Sequence, residues 1–99
     1  MLVEKVRALA AAHPYRVAAC VYEVNGVPEC IIGHALAAEG WSVAALGEES
    51  RCVLALWRGA LLPGVSEADA QWLGLVQVFQ DGGLTWAEAV KRADKECGQ

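Results

Sequence analysis

The sequence predicts a mainly α (α+β) fold, a compact helical domain of about five helices with one short β-strand or hairpin. Apolar residues recur at helical spacing near both ends of the chain, and capping residues frame several segments. One β-branched stretch, over 16–24, precedes an Asn-Gly pair. The 99 residues predict one domain over 1–99, because a second core would leave roughly 50 residues in each half.

Composition and charge narrow the function classes. The hydrophobic fraction of 56% argues against disorder and exceeds the ~45–50% of average soluble domains. No apolar run reaches the ~18–20 residues of a membrane span. A net charge of −4 and scattered basic residues argue against nucleic acid as a partner. Four cysteines without an export signal predict reduced thiols and a cytoplasmic location.

The first predicted helix covers about 2–12. Its apolar residues share one face at helical spacing: Leu2, Val6, Leu9 and Ala10. Pro14 cannot continue a helix, so we expect the helix to end near Ala12 or His13.

The Asn25-Gly26 pair predicts a tight hairpin turn, because both central residues of a type I′ turn need positive φ. In such a hairpin, facing residues have numbers that sum to 51. Pro28 cannot donate to a strand ladder, so the return strand is predicted to be very short or absent. Pro28 suits the first position of a helix over 28–39, with Gly40 just beyond its end.

The middle of the chain is the most apolar part. Ser42 is a candidate cap for a short helix over 43–46, and Ser50 for a helix over 51–62 that Pro63-Gly64 closes. The second segment is apolar nearly all round. A buried strand over 51–62 therefore stays open as an alternative, since short apolar runs cannot be assigned by periodicity alone.

Two amphipathic helices are predicted after residue 65. Ser66 caps the first, which extends through Gln80 and ends at Gly82-Gly83. Its predicted apolar stripe is Trp72, Leu75, Val76 and Phe79. Thr85 and Glu88 have the spacing of a capping box and begin the last helix. We expect Trp72 and Trp86 to lie in the core.

Cysteine and histidine residues offer one alternative function, a thiol or zinc site built on Cys20, Cys30 and His34. Cys30 and His34 are four residues apart, on one face of the predicted second helix. Cys30 near a helix N-terminus would also have a lowered pKa, as a nucleophile requires. The usual paired Cys-x-x-Cys spacing is absent, and the sequence identifies no group to orient a base, so core cysteines are the preferred interpretation.

The apolar surplus points to an interaction surface. A helix that is apolar all round is either central or at an interface, and a chain of this length has little material to surround one. Tryptophan is enriched both in cores and at binding hot spots. The candidate interface residues all lie between 41 and 62: Trp41, Val53, Leu54, Trp57, Leu61 and Leu62.

Two stretches carry a family resemblance. Residues 25–36 resemble the Gly-x-Pro-x-Cys-apolar-apolar-Gly-x-Ala-Leu segment of small proteins from actinobacteria and their phages. Residues 80–90 resemble the Gln-Asp-x-Gly-x-Thr-Trp-x-Glu-Ala-Val segment that closes many of these proteins. The family has no assigned function. The resemblance implies a cytoplasmic protein of a bacterial host or its phage.

Together, these observations predict a small non-enzymatic protein that acts by protein–protein interaction through an apolar patch. The expected partners are a second copy of the chain, a host protein, or both. We expect no catalytic residues and no cofactor, because serine-hydrolase, phosphate-loop and dinucleotide motifs are missing from the sequence. We expect no metal ligands, because paired Cys-x-x-Cys spacing is absent, and no membrane contact, because no apolar run is long enough to span a bilayer.

Overall fold

Helices form most of the described chain. The computed structural model describes residues 2–17, 23–24, 27–28, 30–41, 53–59 and 62–97. Within these ranges the elements in chain order are α1 (Leu2–Ala12), β1 (Glu23–Val24), β2 (Val27–Pro28), α2 (Ile31–Ala38), α3 (Val53–Arg58), α4 (Glu67–Asp81) and α5 (Trp86–Glu96). The fold is mainly α, as the sequence predicts.

One hydrophobic core joins the helices. Helix α4 packs against α5 and α3, α1 packs against α2 and α5, and α2 also contacts α4. The large apolar side chains at the centre are less than 3% exposed: Val6, Ile31, Ile32, Leu36, Val53, Leu56, Leu62, Leu73, Val76 and Trp86. Of the helices described, none combines the length and apolar character that crossing a lipid bilayer requires.

The two strands form a minimal antiparallel pair. Glu23 lies opposite Pro28, and Val24 opposite Val27, so the facing residue numbers sum to 51 as predicted. The assignment of Pro28 to the start of a helix is wrong, because Pro28 lies in β2 and α2 begins at Ile31. Cys30 is the N-cap of α2, and its Sγ accepts the Gly33 N–H at 3.2 Å.

Two helices end in the same left-handed glycine motif. Beyond α2, Gly40 has φ +91°, and the Trp41 N–H donates to the Leu36 carbonyl at 2.9 Å. Beyond α4, Gly83 has φ +100°, and the Leu84 N–H donates to the Phe79 carbonyl at 3.2 Å. This bond pattern satisfies carbonyls that a helix end leaves without partners, and only glycine adopts the required φ at low cost. Both helix ends occur where the sequence predicts them.

The segment from Val53 to Arg58 is an α-helix, so the strand alternative is wrong for these residues. Helix α3 is shorter than the predicted 51–62 segment, and Leu62 already lies in the turn that precedes α4. The predicted helix over 43–46, its Ser42 cap, the Ser50 cap and the Asn25-Gly26 turn lie outside the described residues.

Two buried glutamines on α4 accept hydrogen bonds from the first backbone N–H groups of α2 and α3. Gln77 Oε1 accepts the Val53 N–H at 2.7 Å, and Gln80 Oε1 accepts the Ile31 N–H at 2.9 Å. Gln77 is 8% exposed and Gln80 1%. The first N–H groups of a helix have no partner within it, so each amide oxygen satisfies a donor that burial would otherwise leave without one.

The turn after α1 fixes the start of α5. The Trp86 N–H donates to the Arg16 carbonyl at 2.9 Å, and the Ala87 N–H donates to the Pro14 carbonyl at 3.2 Å. Thr85 and Glu88 form the predicted capping box. Trp86 is fully buried in the core, as predicted, and Trp72 is 5% exposed.

Candidate functional site

A groove of about 730 Å³ follows α4 and is bordered by α1 and the end of α5. We call it the α4 groove. Helix α4 contributes Ala68, Asp69, Gln71, Trp72, Gly74, Leu75 and Val78; Val3 and Arg7 come from α1, and Glu96 and Cys97 from the end of α5. The lining is therefore mainly apolar, with charged groups at a few points.

The α4 groove exists because α4 is apolar on more than one face. One face, with Leu73, Val76 and the two glutamines, is buried in the core. The adjacent face carries Gly74, Leu75 and Val78 at helical spacing, and the Val78 side chain is 61% exposed. The Val78 side chain therefore extends the apolar lining of the groove to the protein surface.

A three-helix network forms one wall of the α4 groove. The Arg7 guanidinium donates two hydrogen bonds to the Asp94 carboxylate, at 2.8 and 2.7 Å. The Trp72 indole N–H donates to the same carboxylate at 2.8 Å, and the guanidinium carbon lies 4.6 Å from the Trp72 ring centroid. The network joins α1, α4 and α5, so the groove wall is held in place before any partner binds.

The network also sets the charge of this wall. Hydrogen bonding from Arg7 lowers the pKa of Asp94, and the Trp72 indole acts in the same direction. The bond to Asp94 raises the pKa of Arg7. The two opposite charges neutralise each other locally, so Arg7 adds little positive potential to the groove.

The remaining charged lining groups are acidic. Asp69 lies in the first turn of α4, where the helix dipole stabilises a carboxylate. Glu96 is the last residue of α5, where the dipole disfavours a negative charge, and its side chain is exposed. With Arg7 paired to Asp94, the rim of the α4 groove is negative, in line with the net charge of −4.

A smaller depression of about 290 Å³ adjoins the α4 groove. Both are lined by Asp69, and the first turn of α1 contributes Val3 to the α4 groove and Leu2 to the smaller depression. Trp41, a candidate interface residue, lines the smaller depression and packs partly buried against the core. The surface that includes Trp41 thus continues into the α4 groove.

The other candidate interface residues lie elsewhere. Val53 is 0% exposed and Leu62 2%, so both are core residues that present no surface in this structure. Trp57 is half-buried, and its indole N–H donates to the Val65 carbonyl at 2.6 Å, which attaches α3 to the turn before α4. The side chain of Leu54, and Leu61 as a whole, lie outside the described residues.

The residues of the thiol or zinc alternative are only partly described. Cys20 lies outside the described residues. Cys30 is 1% exposed, and burial raises the pKa of its thiol to about 11. Such a thiol is protonated at neutral pH, which does not suit a nucleophile. Within the described ranges, no group of three or more His, Cys, Asp or Glu side chains could hold a metal ion.

His34 packs against Trp86. The two ring centroids are 5.4 Å apart, and His13 meets the same indole edge-on at 6.1 Å. The Arg16 guanidinium carbon lies 4.8 Å from the Trp86 ring centroid. These contacts surround the indole of a core tryptophan with side chains from α2 and from the turn after α1, and they give His34 a packing role.

The sequence analysis did not predict the α4 groove, although the apolar residues that line it are evident in the sequence of α4. The predicted stripe on α4 contained Trp72, Leu75, Val76 and Phe79, and Leu73 and Val78 were not placed. Because glutamines are counted as polar, the pattern did not show that Gln77 and Gln80 belong to the buried face. Gln77 and Gln80 face the core, and Val78 lies on the exposed side of α4.

Comparisons of the chain with family models, with curated proteins and with solved structures found no match.

Proposed function

We propose that this chain is a small non-enzymatic interaction protein that binds a protein partner through the α4 groove. The observation that carries the proposal is Val78, an apolar side chain that is 61% exposed at the edge of an apolar groove of about 730 Å³. An apolar groove supports this proposal, because an apolar side chain that fills it is removed from water together with the lining. The fixed wall formed by Arg7, Trp72 and Asp94 supports the proposal, because a preorganised surface loses little conformational entropy on binding.

The proposal moves the centre of the interaction surface. The sequence analysis predicts an interaction surface on residues 41–62, and we propose a surface centred on α4 instead. Trp41 joins the two, since it lines the depression that adjoins the groove at Asp69. The proposed surface therefore keeps Trp41 as a peripheral contact.

The resemblance to small actinobacterial and phage proteins supplies the proposed setting. In that setting the chain acts in the cytoplasm of the bacterial host, as a phage or phage-like protein. Its partner is then a host protein or a second copy of the chain.

Site-specific photo-crosslinking in actinobacterial cells tests the proposal. Gln71 is exposed and lines the groove, so a photoreactive amino acid at this position leaves the apolar floor intact. Lys91, which is exposed on α5, is the control position. We expect a discrete protein adduct from position 71 and none from position 91.

Two variants complete the design. Val78→Asp should abolish the adduct from position 71. Val17→Asp should leave it intact, because Val17 is 57% exposed but does not line the groove. Equal adducts from positions 71 and 91, or none from position 71 in a folded chain, would overturn the proposal.

A further inference from the structure

We infer that the α4 groove takes a basic amphipathic helix from a partner protein. This inference rests on the proposed function and adds the chemistry of the partner. Three properties of the groove carry it: its length, its apolar floor and its acidic rim.

The length of the groove suits a short helix. Its α4 lining extends from Ala68 to Val78, which at ~1.5 Å per residue is roughly 15 Å, or about three helical turns. A helix of that length presents apolar anchors at i, i+4 and i+7. The strands described are two residues long, so they offer an extended peptide little sheet edge to join.

The floor of the groove allows close approach of another helix. Gly74 has no side chain, and Val78 lies one turn further along α4 in the same lining, which also includes Leu75. A glycine in a helix face lets the side chains of a facing helix approach more closely than a larger residue would. The anchors expected on the partner are therefore Leu, Ile or Met.

The acidic rim of the groove favours a partner with positive charge. Asp69 and Glu96 are acidic, and the positive charge of Arg7 is neutralised by Asp94. Glu96 lies at the negative end of the α5 dipole, so a cation placed beside it removes an unfavourable interaction of the free protein. A Lys or Arg next to the apolar anchors satisfies both carboxylates.

The same charges disfavour a second copy as the occupant. In a two-fold dimer through this groove, the acidic rims of both protomers would face each other, and like charges at an interface are repulsive. Arg92 of α5 does not offset this repulsion. Its guanidinium lies 5.1 Å from the ring centroid of Phe79, and Phe79 does not line the groove.

Calorimetric titration with designed peptides tests the inference. The probe is a 15-residue peptide with leucines along one helical face and lysines elsewhere. The matched peptide has glutamate in place of every lysine. We expect the lysine peptide to bind at least tenfold more tightly at low salt, and the difference to shrink as salt screens the rim.

Two aspartate variants separate groove binding from general attraction to an acidic protein. Val78→Asp and Val17→Asp each add one negative charge, which would strengthen a purely electrostatic interaction. If the peptide lies in the α4 groove, Val78→Asp should weaken its binding at least tenfold, and Val17→Asp should not weaken it. Glu96→Lys, which suits the end of α5, should reduce the preference for lysine over glutamate.

Several results would overturn the inference. These are equal binding of the two peptides, tighter binding of the glutamate peptide, no binding of either, or the same effect from both aspartate variants. A chain that dimerises and becomes monomeric on Val78→Asp would assign the groove to a second copy. If the peptides fail but the adduct from position 71 still forms, the proposed function stands and the partner has a different chemistry.

Discussion

Gln80 on α4 accepts, through its Oε1, the backbone N–H of Ile31 at the first position of α2, at 2.9 Å. The acceptor for this helix start comes from a side chain 49 residues away in the sequence. Gln77, one turn earlier on α4, does the same for Val53 at the start of α3. One buried face of α4 therefore fixes where two other helices begin.

Replacing Gln80 by methionine should be costly. Gln80→Met keeps the approximate volume but removes the oxygen, so the buried Ile31 N–H has no acceptor. We expect the free energy of unfolding to fall by about 1–3 kcal/mol, the usual cost of an unsatisfied buried donor. Urea denaturation followed by circular dichroism measures this change.

Gln71→Met is the matched control on the same helix. Gln71 is exposed, and its amide donates only a 3.4 Å bond to Glu67. The control should change stability by less than about 0.5 kcal/mol. Equal effects of the two substitutions would contradict a capping role for Gln80.

Asp94→Asn should destabilise the protein in a pH-dependent way. Hydrogen bonding from Arg7 lowers the pKa of Asp94 in the folded state, so the ionised pair stabilises the fold above the ordinary aspartate pKa of about 3.9. That stabilisation is lost as the pH falls through the lowered pKa. The partners are 43% and 27% exposed, so solvent screening limits the loss at pH 7 to on the order of 1 kcal/mol.

Urea denaturation between pH 7 and the onset of acid unfolding checks this prediction. The difference between Asp94→Asn and the parent protein should shrink as the pH falls below 4. Glu96→Gln is the control, because Glu96 is exposed at the end of α5. A difference that is constant with pH would show that packing, and not the charge of Asp94, is responsible.

Thr85→Ala should weaken the start of α5. The Thr85 hydroxyl oxygen accepts the Glu88 N–H at 3.2 Å, and Glu88 Oε1 accepts the Thr85 N–H at 3.3 Å. Alanine removes the hydroxyl, and we expect a loss of about 1 kcal/mol in thermal or urea unfolding. Thr85→Ser keeps the oxygen and should retain most of the stability. Equal losses in both variants would contradict the hydroxyl's capping role.

The Cys30 thiol should react slowly in the native protein. Its pKa is raised to about 11 by burial, so little thiolate exists at pH 7 and reagents cannot reach it. Iodoacetamide labelling, read by peptide mass spectrometry, should modify Cys30 only when urea opens the fold. Cys97 is half-buried, lines the α4 groove and should react sooner. Rapid native labelling of Cys30 would revive the thiol-site alternative.

The sequence was most informative where structure is decided locally. The Ser66 cap, the Thr85–Glu88 capping box and the glycines at 40 and 83 each occur where predicted, because capping and left-handed φ values depend on a few adjacent residues. The pairing of Val24 with Val27 also follows from the predicted register.

Features that depend on distant residues could not be predicted in this way. The fixed φ of Pro28 suits the first position of a helix, so the sequence predicts a helix start there. In the structure, Pro28 instead pairs with Glu23 in the two-stranded sheet. The burial of Gln77 and Gln80 depends on N–H donors from α3 and α2, which lie far away in the sequence. The burial of Val53 and Leu62 depends on how α3 and the turn before α4 pack in the core, which the sequence does not show. The α4 groove depends on these arrangements, so it was missed with them.

The bond between Arg7 and Asp94 spans 87 positions of the chain and joins its first helix to its last. Closing a contact between such distant residues costs more conformational entropy than closing a local one, because the ends of a long loop must meet first. A growing chain on the ribosome cannot complete this wall of the groove until α5 has emerged. Until then, the Arg7 guanidinium and the Trp72 indole N–H lack the carboxylate that accepts hydrogen bonds from both in the folded structure.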